Sequence, residues 1–66
     1  MNFYEAIKAV MDGKSMRLVY WKIGTIIKLH EGTIFLYFPN RKYCPYRITK
    51  HDIEKQCWEE YHGKNE

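Results

Sequence analysis

Apolar residues at the start of the chain recur at helical spacing, at Phe3, Ala6, Ile7 and Val10, and from Ser15 the pattern changes to alternation. The first set predicts a helix. Asn2 is placed to accept at its N-terminus, Glu5 three residues on completes a capping box, and Gly13 supplies the residue past the end. Ser15 to Trp21 alternates Met16, Leu18 and Tyr20 against Arg17, Val19 and Trp21, which predicts a strand with one apolar and one mixed face. On that reading Arg17 and Trp21 point the same way. After Gly24, Thr25 to His30 reads as a second, β-branched strand, and Glu31-Gly32 joins it to Thr33–Phe38 as a tight hairpin. Pro39 to Lys42 reads as a turn, and Tyr43 to Ile48 as a last strand that Pro45 confines to an edge or shortens. Thr49 followed by Asp52 predicts the cap of a short helix from Lys50 to about Glu60, with Ile53, Cys57 and Tyr61 on one face.

The fold class that follows is α+β: an N-terminal helix, an antiparallel sheet of about four strands with helices over one face, and a short C-terminal helix. A single domain is expected over residues 1–62, with 63–66 as a frayed tail. A 66-residue chain buries only roughly 60% of the surface it exposes when unfolded. Aromatic residues make up 17% of it, and Trp21, Phe35, Tyr37 and Tyr43 are more than so small a domain hides easily. Self-association into a homo-oligomer is therefore expected. Cys44 and Cys57 are expected to be free thiols in a reducing compartment, because the chain carries no secretory signal and no cysteine framework. With no apolar run of membrane-spanning length, no membrane partner is expected. Cys44, His51, Cys57 and His62 fit no zinc spacing, so neither metal nor cofactor is expected.

Charge is distributed unevenly. Residues 14–50 carry eight basic side chains against the single acid Glu31, a balance of +7, while residues 51–66 carry a balance of −3. A basic middle favours an anionic ligand, a nucleotide or a nucleic acid, and the acidic end opposes a long polyanion lying across it.

The residues that catalysis needs are not assembled in this pattern. Ser15 lacks the glycines of a nucleophile elbow, and the adjacent Glu59 and Glu60 diverge in direction. Gly24 and Gly32 are lone turn glycines, not a phosphate cradle, and His30, His51 and His62 have no partner at a useful spacing. The chain reads as a binding protein, not an enzyme. Cations stand beside aromatic residues at Arg17 with Trp21, Lys42 with Tyr43, and Arg47 with Tyr46. Such pairs suit a ligand that has both phosphates and a base ring. The plainer alternative is that Trp21 and Trp58 are packing residues.

The opening Met1-Asn2-Phe3-Tyr4-Glu5-Ala6-Ile7, then Gly13-Lys14, Arg17 and Trp21, resembles the start of a phage and prophage domain family, the Thoeris anti-defence sponges and their relatives. Thr49, Asp52-Ile53 and Trp58-Glu59 are similar to that family's closing pattern. Cys57 stands where the family has an acid, Leu18 where a second basic residue is common, and the middle of the chain is shorter. The resemblance implies a protein of the infected bacterial host's cytoplasm that binds and sequesters a nucleotide-derived immune messenger, cyclic ADP-ribose-like or a cyclic oligonucleotide, without cleaving it. Arg17 would then neutralise phosphate, Trp21 would stack on the base or wall the pocket, and Arg47 with Thr49 would supply donors at the other rim. Two other functions are expected less: a protein–protein inhibitor of a host defence effector such as a CRISPR nuclease, and a small nucleic-acid-binding protein.

Overall fold

The first helix forms where its caps place it. In the computed structural model, which describes residues 1–62, α1 spans Phe3–Met11. The Asn2 side chain accepts from the Glu5 amide and the Glu5 carboxylate accepts from the Asn2 amide, both at 2.8 Å. Its buried stripe is Phe3, Ala6 and Val10, and Gly13, at φ +97°, turns the chain out of the helix. There follow β1 (Met16–Leu18), β2 (Ile26–His30), β3 (Thr33–Tyr37), β4 (Tyr43–Pro45), α2 (Lys50–Glu54) and β5 (Trp58–Glu60).

The strands form one antiparallel sheet in the order β4-β3-β2-β1-β5. The hairpin between β2 and β3 closes through Glu31 and Gly32, both at positive φ, and Pro45 lies on an edge strand where its missing N–H leaves no gap in the ladder. The register places Met16, Leu18, Ile27, Leu36 and Trp58 on one face. That face meets Phe3, Ala6 and Val10 of α1 to make the core. Lys28, Phe35, Tyr37 and Tyr43 lie on the other face. The domain is thus α+β, with an N-terminal helix, five antiparallel strands and a short second helix.

Two expectations from the pattern are corrected. The strand expected over Ser15–Trp21 ends at Leu18, where the chain turns and the Trp21 amide donates to the Leu18 carbonyl at 3.0 Å. Alternation therefore does not carry Trp21 to the face of Arg17. The helix expected from Lys50 to about Glu60 stops at Glu54, because Lys55 is extended (φ −81°, ψ 143°), and the last segment is a fifth strand. The cause is the neighbouring strand. Without β5, β1 would be an open edge. With it, Arg17 pairs with Glu59, Leu18 pairs with Trp58, and the Trp58 ring enters the core at 2% exposure, 5.8 Å from Phe3. Burying an indole contributes more than a further turn or two of a short isolated helix. The frayed tail expected at 63–66 lies outside the described residues. Cys44 and Cys57 are both free, and no helix among the described residues is long and apolar enough to cross a membrane.

Trp58→Ala should therefore lower unfolding free energy by about 3–5 kcal/mol, a large share of what so small a domain has. Urea denaturation measures it; a loss below about 1 kcal/mol would show that β5 does not close the core.

Candidate functional site

The segment after β4 continues along β3 for one more residue, the Tyr46 amide donating to the Ile34 carbonyl at 2.9 Å. This turns the Tyr46 side chain toward the helix face of the sheet. Its hydroxyl donates to Asp52 Oδ2 at 2.7 Å. Asp52 is itself fixed. Its amide donates to Thr49 Oγ1 at 3.2 Å, which caps α2, and its carbonyl accepts from the Trp58 indole N–H at 3.3 Å. Trp21 approaches from the turn after β1 and meets Trp58 edge to face, with ring centroids 5.4 Å apart.

Between these elements lies a cleft of about 530 Å³, walled by Trp21, Tyr46, Arg47 and Asp52 over a floor of Leu36, Cys44 and Pro45. That volume is within the range of small-molecule sites. Arg47 is exposed and has no carboxylate at ion-pair distance among the described residues. Asp52 is buried, 9% exposed, so its carboxylate is an oriented acceptor at the back of the cleft. The Tyr46 phenol is held well above its usual pKa by burial first, then by its hydrogen bond to Asp52 and the negative charge of that carboxylate. It therefore stays a neutral donor. Chemically the cleft offers an aromatic wall, a free guanidinium and a fixed carboxylate. These groups suit a ligand with a ring, an anionic group and an amine or hydroxyl donor.

Two of the four residues expected at the site, Trp21 and Arg47, are brought together here. Thr49 caps α2 beside the cleft and does not line it. Arg17 is corrected: it is 5% exposed, on the sheet face away from the cleft, and so cannot act as a free cation for phosphate. Its guanidinium pairs with Glu59 and donates to the Val19 and Trp21 carbonyls, leaving only Nε unpaired. Arg17 is a positioning residue. By gripping the turn after β1 it sets where Trp21 enters the cleft. Tyr20 holds the same turn from the other side, its hydroxyl 2.8 Å from His51 Nε2 on α2. The residue that the pattern missed is Asp52, which reads in sequence only as a helix-capping partner. Nothing in the spacing shows that the same side chain accepts from Tyr46.

A second depression, about 550 Å³, lies beside Lys22, Phe38 and Asn40. The Asn40 side chain is already occupied there, accepting from the Lys42 amide at 3.1 Å.

The Tyr46–Asp52 bond carries a pH signature. The folded phenol has a pKa raised above the ordinary value of 10.0. The unfolded chain therefore releases this proton first, and the bond's contribution is complete below about pH 10 and lost as pH rises above it. Tyr46→Phe should remove about 1.5–3 kcal/mol at neutral pH, as expected for a hydrogen bond to a charged group, and should make the alkaline fall in stability shallower. Chemical denaturation across pH 7–11 checks both; an unchanged alkaline limb would show that Tyr46 does not titrate with unfolding. The chain matches no protein-family model, no curated protein and no solved structure, so what the cleft holds is inferred from its own chemistry.

Proposed function

We propose that the protein is an anti-defence sponge: it takes up a nucleotide-derived immune messenger in the Trp21–Arg47 cleft and holds it without cleaving it. One observation carries this reading. Trp21 and Arg47, distant in sequence, meet at one cleft whose back is a fixed carboxylate. The indole stacks on a purine or pyrimidine face, a contact worth about 1–3 kcal/mol per base. The Arg47 guanidinium, exposed at the rim, forms charge-assisted bonds to phosphate. Asp52, 9% exposed, accepts from the exocyclic amine of the base or a ribose hydroxyl. Arg17 holds the stacking residue in place and does not touch the ligand.

Sequestration of this kind is stoichiometric, and it fits the resemblance to the Thoeris anti-defence family, whose sponges act in the cytoplasm of the infected bacterial host. The basic surface of residues 14–50 draws an anionic messenger toward the rim.

Incubation with a panel of cyclic oligonucleotides and cyclic ADP-ribose isomers, followed by removal of free ligand, heat release and mass spectrometry, tests the proposal. One panel member should be recovered intact. Trp21→Ala and Arg47→Ala should each weaken its retention at least tenfold, about 1.4 kcal/mol. Recovery of a cleaved product, or full retention by a folded Arg47→Ala variant, would overturn the proposal.

A further inference from the structure

The sheet face turned away from both helices carries a second set of residues that the cleft does not use. Phe35 and Tyr37 lie two apart on β3, and Tyr43 is the register partner of Tyr37 on β4. Their rings form a triangle, with centroids 5.7 Å apart from Tyr37 to Tyr43, 5.7 Å from Phe35 to Tyr43 and 6.4 Å from Phe35 to Tyr37. Tyr43, at 63% exposure, holds most of its ring in solvent. Nothing in the core requires it there.

Two cations stand beside this triangle, and one acid is near it: Glu31, 3.9 Å from His30, whose ring centroid is 6.0 Å from that of Phe35. Lys28 is the cross-strand partner of Phe35 and so lies on the same face. Arg41 lies in the turn that joins β3 to β4, two residues before Tyr43. Neither cation has a carboxylate at ion-pair distance among the described residues. Glu59, the acid that the register places on this face, is already held by Arg17.

We infer that this face binds single-stranded nucleic acid, with bases stacked on Phe35, Tyr37 and Tyr43 and phosphates neutralised by Lys28 and Arg41. Stacking is open to any base that shows its π-face, and a flanking row of cations tracks the backbone. A duplex hides those faces, so single strands are the fitting class. A second copy of the chain is the poorer occupant. A two-fold interface over this patch would bring Lys28 and Arg41 of both copies onto one interface, and like charges across an interface oppose association. This surface is separate from the cleft, and its occupation does not depend on the sponge proposal.

Fluorescein-labelled DNA and RNA single strands of about 12 nucleotides, within the site sizes that such surfaces cover, give the test by anisotropy, with a duplex of the same sequence beside them. Single strands should bind more tightly than the duplex. Tyr43→Ala should weaken binding roughly tenfold, while Tyr43→Phe, which keeps the ring, should stay within about twofold of the parent. The double variant Lys28→Gln, Arg41→Gln should lower the slope of log affinity against log salt by about 1.4, the value for two phosphates on a single strand. Trp21→Ala should leave strand binding in place. The inference is overturned if the strands do not bind, if Tyr43→Ala binds as the parent does, or if sedimentation shows a dimer that Tyr43→Ala dissociates. The last result would assign the face to a second copy.

Discussion

The Trp58 indole is 2% exposed, and its burial joins parts of the chain that are distant in sequence. Its ring lies against Phe3 of α1 and Trp21 of the turn after β1, its residue pairs with Leu18 of β1, and its N–H donates to the carbonyl of Asp52 in α2. Its backbone amide also donates to the Met1 carbonyl at 3.1 Å, so β5 is tied to the segment that leads into α1. In a domain of this size the core is one layer thick, and a single indole can supply a substantial part of its apolar area. The same ring supports the cleft. Trp21 stands on it and Asp52 is hydrogen-bonded to it, so the aromatic wall and the fixed carboxylate share one support.

The division between the sheet's two faces follows from β5. Pairing of Trp58–Glu60 with β1 turns β1 into an interior strand, and all three of its residues become buried, Arg17 among them. A buried guanidinium needs partners, and it finds them in Glu59 and in two carbonyls of the turn that carries Trp21. The charge that the primary structure offers as a ligand contact is therefore used in shaping the site. Arg47, by contrast, is exposed and has no carboxylate at ion-pair distance among the described residues.

Elements whose signals are local could be read directly from the chain. The Asn2–Glu5 capping box, the Glu31-Gly32 hairpin, the edge position of Pro45 and the Thr49 cap each rest on a few adjacent residues, and each forms as the pattern predicts. The failures are long-range. Three residues of β5 are too few for alternation to show, and their strand character depends on β1, forty residues earlier. Tyr46 and Asp52 become a pair only once α2 folds back over the end of β4. The pattern pairs Trp21 with Arg17 and Arg47 with Tyr46, and the fold brings Trp21, Tyr46 and Arg47 to one cleft. Arg17 and Trp21 do not share a strand face because the strand ends at Leu18, three residues before Trp21.

If the cleft is the messenger site, a ligand should be felt on the helix face of the sheet and not on the aromatic face. Titration of a cyclic ADP-ribose isomer or a cyclic dinucleotide into the isotopically labelled protein, followed by two-dimensional proton–nitrogen spectra, reads this residue by residue. The Trp21 indole N–H and the amides of Cys44, Tyr46 and Arg47 should shift together as the ligand is added, with Phe35, Tyr37 and Tyr43 unmoved. Resonances of the cleft that stay fixed while every ligand of the panel is added, or shifts confined to the three aromatic residues of the opposite face, would contradict the assignment.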